Sequence, residues 1–133
     1  MSFGIIEDGI TEDMLSLNDD LLNSKRVGQY VDFVKEVSGF SLGSIVLFDF
    51  LKIRDFQNLL EFLPNWETEW LCIGKIMAEP LGINMKDGKV YWFSEIPYSD
   101  EGINLGSFFD FLKEYVFGYK YSNGLKKMNG INF

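Results

Sequence analysis

The dipeptide Asp87-Gly88 is the feature that most constrains how this chain can fold. Leu81-Gly82-Ile83-Asn84-Met85 precedes it and Val90-Tyr91-Trp92-Phe93 follows it. Asp-Gly between two such runs favours a two-residue type I′ turn, whose twist matches that of the strands it joins. That turn sets Lys86 opposite Lys89, Met85 opposite Val90 and Ile83 opposite Trp92. Ile83, Met85, Val90 and Trp92 then share one face, and Asn84, Tyr91 and Phe93 the other. Facing lysines are mildly unfavourable, so burial must fix the register: a slip of one residue would turn Ile83 and Met85 outward.

Elements of both kinds surround this hairpin. Over residues 19–38, Val27, Tyr30, Val31, Val34 and Val37 recur with helical spacing, which predicts an amphipathic helix capped by Asp19 or Asp20 and stopped by Gly39. Ser44–Leu51 reads as a buried strand. Arg54–Leu63 reads as a short helix with Asp55 near its start, with Phe56, Leu59, Leu60 and Leu63 on one side, and Pro64-Asn65 at its end. Trp66-Glu67-Thr68-Glu69-Trp70 alternates apolar and acidic residues as a strand edge or loop entry would, and Leu71–Ile76 continues as a strand. Residues 94–106 read as a polar loop. A last helix runs from Ser107, a good N-cap with Asp110 three residues on, through Phe108, Phe109, Leu112, Tyr115 and Val116 to Gly118. The sequence thus predicts one α+β domain over residues 1–133, with a mostly antiparallel twisted sheet of about four to six strands packed against helices. An acidic segment (1–20) precedes the body and a basic tail (119–133) follows it.

Composition removes several chemistries. The chain has 133 residues, no His and one Cys, so it cannot build a Cys/His zinc site, a Ser-His-Asp triad or a Cys-His dyad. Cys72 lies in the apolar run Trp70-Leu71-Cys72-Ile73 and reads as a small buried hydrophobe, not a reactive thiol. A single cysteine fits a reducing compartment. The opening MSFGIIEDGITEDML has no basic region and no long apolar core, and no stretch approaches a membrane span. The expectation is a cytoplasmic protein with no membrane contact, no cofactor and no metal. Net charge is −8, which repels nucleic-acid phosphates and favours encounter with a basic partner, while also serving solubility. The charge is uneven: residues 1–20 carry six acids and no base, whereas residues 113–133 carry four lysines and one glutamate.

The order of elements and a set of packing motifs resemble the SUKH superfamily, named from a fungal cell-wall-synthesis regulator and including many bacterial immunity proteins. The resemblance is carried by Trp70-Leu71-Cys72-Ile73-Gly74, by Pro80–Phe93 with its Gly-containing turn and Val90-Tyr91-Trp92, and by Ser107-Phe108-Phe109-Asp110-Phe111-Leu112. The upstream helix Tyr30–Val34 ending at Ser38-Gly39 is similar to the family's helix before its Asn-Gly-Gly turn. Here that turn reads Ser38-Gly39-Phe40, and Lys25-Arg26-Val27-Gly28 stands where the family opens its first helix with Leu-Pro. The likeness covers roughly residues 25–117 and carries no catalytic motif.

The resemblance implies a non-enzymatic immunity protein that binds and neutralises a cognate polymorphic toxin, expected to be basic and often a nuclease. Acids beside aromatics are the candidate partner-binding residues: Trp66, Glu67 and Glu69 before the strand, and Glu95, Tyr98, Asp100 and Glu101 in the late loop. Complementary charge would speed encounter and buried aromatics would supply most of the binding energy. Trp70 and Trp92 are assigned to the core. The alternatives are a regulatory interaction scaffold with no toxin partner, and an enzyme using Glu67 with Glu69, or Asp100 with Glu101, as a carboxylate pair. The spacing of those pairs is not diagnostic in a chain with 20 acids.

Overall fold

The hairpin forms, and it lies within a seven-stranded antiparallel sheet in which every strand pairs with its neighbour in sequence. A computed structural model describes residues 6–18, 20–22, 27–94 and 102–116. The strands are β1 (Ile6–Asp8), β2 (Val37–Leu42), β3 (Ile45–Leu47), β4 (Trp70–Ile76), β5 (Glu79–Asn84), β6 (Lys89–Trp92) and β7 (Ile103–Ser107). The helices are α1 (Glu12–Ser16), α2 (Gly28–Glu36), α3 (Trp66–Glu69) and α4 (Phe108–Phe111), with a 3₁₀ helix over Phe50–Leu60 and a wider π turn over Leu112–Val116. The α+β class and the antiparallel sheet are as expected, and the short outer strands β1 and β7 bring the ladder to seven. No helix among the described residues is long and apolar enough to cross a membrane.

The register of the hairpin differs from the I′ expectation by two residues. Leu81 pairs with Trp92, Gly82 with Tyr91 and Ile83 with Val90. The loop is longer because Asn84 organises it: its carbonyl accepts from Gly88 N–H at 2.7 Å, and its side chain accepts from Lys86 N–H at 2.8 Å. Gly88 takes the left-handed φ of 74° that this closure requires. A shift of two leaves every side chain on its expected face. Ile83 and Val90 stay together beneath α2 and α4, and Lys86 escapes Lys89 to pair with Glu69 at 2.8 Å.

Of the expected stripe of α2, Val27, Tyr30, Val34 and Val37 are buried and Val31 is half-buried. Its rings interlock with the closing helix: Tyr30 and Phe33 meet Phe108 edge-on at 5.4 and 5.2 Å, and Phe33 meets Phe40 of β2 at 5.9 Å. Such geometry is favoured by the ring quadrupole, beyond the area it buries. Ser107 caps α4 as expected, accepting from Asp110 N–H at 3.2 Å. Two details of α2 are corrected. Asp20 does not cap it, because α2 starts only at Gly28 with Val27 as its N-cap; both Asp20 carboxylate oxygens are instead held by Arg54, at 3.0 and 2.6 Å. Gly39 does not stop it, because α2 runs directly into β2 and Gly39 lies within that strand. A Cβ at Gly39 would come within 2.8 Å of the Leu47 carbonyl oxygen, so the close β2–β3 approach is what selects glycine there.

Three further expectations change for local reasons. The strand expected over Ser44–Leu51 stops at Leu47, since Asp49 accepts from Leu51 N–H at 3.0 Å and starts the 3₁₀ helix. That helix buries Phe50, Ile53 and Leu60 and leaves Leu59 43% exposed, so Leu59 is off the stripe expected of it. Part of the expected polar loop is β7, paired with β6. Its strand signal is broken by Asn104, whose side chain accepts from Gly106 N–H at 2.8 Å. The tail and residues 95–101 lie outside the described residues.

The early end of β3 leaves part of β4 without a neighbour. The last β3–β4 pair is Leu47 with Gly74, followed by Phe48 N–H donating to Ile73 C=O at 2.9 Å. One residue further along, Gln57 of the 3₁₀ helix supplies the missing partners. Its Oε1 accepts from Cys72 N–H at 2.8 Å, and its Nε2 donates to Cys72 C=O at 2.9 Å and to Ile53 C=O at 2.6 Å. Replacing Gln57 by Leu keeps the volume but strands a buried donor and acceptor. We expect Gln57→Leu to cost about 2–4 kcal/mol, read as a lower urea midpoint at unchanged slope. A change below about 1 kcal/mol would show that water replaces the amide at no penalty.

Candidate functional site

Two of the expected partner-binding residues line one cleft. Its volume is about 250 Å³, and Asp20, Leu21, Gln57, Trp66, Glu67 and Trp70 surround it. Four separate stretches meet there: the turn after α1, the 3₁₀ helix, α3 and the first residue of β4.

The turn is fixed by Asn18, which is buried and donates from Nδ2 to Phe50 C=O at 3.1 Å. Asp20 is then gripped by Arg54, whose hydrogen bonds hold the Asp20 carboxyl below the usual range. Residues 66–70 were expected as a strand edge or loop entry, but Trp66–Glu69 is one helical turn. Asn65 adopts a left-handed φ of 56°, a conformation Asn tolerates, and its carbonyl accepts from Thr68 N–H at 3.1 Å and Glu69 N–H at 2.9 Å. Alternation would have placed Glu67 and Glu69 side by side. The helical turn separates them instead: Glu67 is exposed, while Glu69 is half-buried and salt-bridged to Lys86. The two therefore do not form the paired carboxylates of the enzymatic alternative.

Trp66 and Trp70 are both half-buried. Trp70 was assigned to the core, and one of its faces does pack there, edge-on to Tyr91 at 5.3 Å and to Phe93 at 5.2 Å. Its remaining surface forms a wall of the cleft. Just before α3, Leu59 and Phe62 are 43% and 49% exposed, with the exposed acid Glu61 between them. Glu95, Tyr98, Asp100 and Glu101 lie outside the described residues. Gln57 was not singled out from the sequence, although a polar residue between Ile53 and Leu60 on an otherwise apolar stripe was the available signal.

Other titratable groups have structural settings. Cys72 is fully buried, and burial pushes its thiol up to about 12. Tyr91 donates to Asp87 Oδ2 at 2.7 Å, and that bond, with burial second, pushes its phenol up to about 12. Among the described residues no three His, Cys, Asp or Glu side chains gather as a metal site would require. No protein-family model matches the chain, and no curated protein matches it.

The two raised values give a signed expectation. A thiol or phenol that titrates higher when folded stabilises fully below its unfolded value, and that stability is lost as pH rises through the folded value. For Cys72 and Tyr91 the loss runs from about 9 and 10, respectively, up to about 12. Urea midpoints should therefore fall across this alkaline range, and Tyr91→Phe should flatten part of the fall. A thiol reagent near neutral pH should modify Cys72 only at the rate of unfolding.

Proposed function

We propose that this protein is a non-enzymatic immunity protein of the SUKH type, binding and neutralising a basic protein toxin through the surface around α3. The alternative is a regulatory scaffold that uses the same surface on host proteins. One observation carries the binding reading: Trp66, Trp70, Asp20 and Glu67 come together around a single cleft on a chain of net charge −8. Half-buried indoles rimmed by carboxylates combine the two ingredients of a protein-binding hot spot, an aromatic anchor and a steering charge. The exposed Leu59 and Phe62 extend that surface with apolar area flanking Glu61. The element order and the Ser107-capped aromatic helix are what the SUKH resemblance implies for the fold, and they support the choice of family.

The test is a tagged pull-down from the native cell at low salt, with bound proteins identified by mass. Immunity requires one stoichiometric partner with a basic domain, toxic when expressed alone and harmless beside this protein. Recovery of several housekeeping or signalling proteins instead would move the assignment to the scaffold. With the partner in hand, Trp66→Ala should weaken binding tenfold or more if Trp66 is an anchor. The association rate should also fall as ionic strength rises from low to physiological values. A salt-independent rate would remove steering from the mechanism.

A further inference from the structure

The cleft lies on a seam. Asp20 and Leu21 form one wall, and Gln57, Trp66, Glu67 and Trp70 form the other. The first wall belongs to residues 11–18 and 20–22, which are α1 and the turn after it. The backbone of this stretch bonds to itself: Leu15 N–H donates to Thr11 C=O, Asn18 N–H to Leu15 C=O, and the N–H groups of Leu21 and Leu22 to Asn18 C=O. Among the described residues no backbone–backbone bond joins it to the body. The last such bond comes just before it, where buried Ile10 donates to Val34 C=O at 3.0 Å.

Apolar contact adds little to its hold. Leu15, Leu21 and Leu22 are half-buried, Met14 and Leu17 are exposed, and the one buried side chain described in the stretch is the polar Asn18. Three polar attachments remain. Lys35 pairs with Glu12 at 2.8 Å, and Asn18 Nδ2 donates to Phe50 C=O at 3.1 Å. Arg54 grips both Asp20 oxygens and reaches Asn18 Oδ1 at 3.5 Å. Both ion pairs are solvent-exposed, so each contributes little and salt screens it. Segments held this way are drawn from the low-stability end of a fold.

We infer that α1 and its turn form a strap, latched on Lys35 and Arg54, whose opening takes one wall off the cleft and widens access to Trp66 and Trp70. The latch also selects the charge of what opens it. Residues 11–22 hold four acids and no base, so the cations of a basic protein compete with Lys35 and Arg54 for them. Such a protein binds the open strap better than the closed one, and that difference is what shifts an equilibrium. The strap is a property of the chain alone. Its role as a gate rests on the reading of the cleft as the binding site for a basic protein.

Hydrogen exchange of the full-length protein, followed by NMR, tests the strap. A helix of five residues does not persist alone, so opening frees the amides of Leu15, Asn18, Leu21 and Leu22 together. We expect these four to share one protection factor, about a hundredfold or more below that of sheet amides such as Phe48 and Cys72. Asp20→Asn, an exposed and isosteric change, should speed exchange of the four about threefold and leave the sheet amides unchanged. Protection of the four equal to that of the sheet, or no response to Asp20→Asn, overturns the strap. Association with the captured partner tests the gate. If opening admits the partner, Asp20→Asn raises the association rate by the same factor as strap exchange. Steering alone predicts the opposite sign, since a negative charge is lost, so an unchanged or lower rate overturns the gate. The two proposals fail separately. If the strap opens as expected and the cell yields no basic partner, the strap stands and the immunity reading falls. If a basic toxin is captured and neutralised while the four amides stay as protected as the sheet, the immunity reading stands and the strap falls.

Discussion

The double hydrogen bond between the Gln57 amide and the backbone of Cys72 is the contact on which the arrangement around it depends. A central strand cannot lose its neighbour halfway along without stranding buried peptide groups. β3 ends because Asp49 turns the chain into a 3₁₀ helix, and that same helix returns Gln57 to the exposed edge of β4. The helix is therefore both the cause of the gap and its repair. Its unusual length of eleven residues follows from that double duty, since a stretch starting at Phe50 must still reach Leu60 against Gly82. The cleft lies beside this repair, with Gln57 among its lining residues.

The two faces of the sheet are covered by different means. On one, α2 and α4 bury Ile83, Val90 and Leu81 under a cluster of rings, Tyr30, Phe33 and Phe108, in edge-on contact. On the other, Trp70, Tyr91, Phe93 and Phe62 make a second aromatic group, with Leu60 lying against Gly82. The second group is only partly covered, and its edge is where the candidate site lies. That partial cover leaves indole surface of Trp66 and Trp70 at the cleft.

Much of the frame was legible locally. The faces of the β5–β6 hairpin, the α2 stripe, the Ser107 cap and the Leu71–Ile76 strand follow from periodicity and capping chemistry, which neighbouring residues decide among themselves. The hairpin register was not legible, because Asp87-Gly88 is a strong turn signal yet Asn84 closes a longer loop. Nor was the helical turn at Trp66–Glu69, where alternation over five residues fits a strand as well, and only the left-handed Asn65 selects the helix. Asp20 was read as a cap for want of any sign that Arg54, thirty-four residues away, would hold it.

The sequence by itself determined that the chain forms one α+β sheet with an aromatic interior, carries excess negative charge, and lacks the residues for histidine-based or zinc chemistry. Those properties depend on composition and on spacings shorter than a turn or two. Only the tertiary structure decided that Trp66, Glu67, Trp70, Gln57 and Asp20 share one cleft. The physical reason is that the cleft lies between elements: it is set by where β3 stops and where the 3₁₀ helix returns against β4, and no local pattern records either.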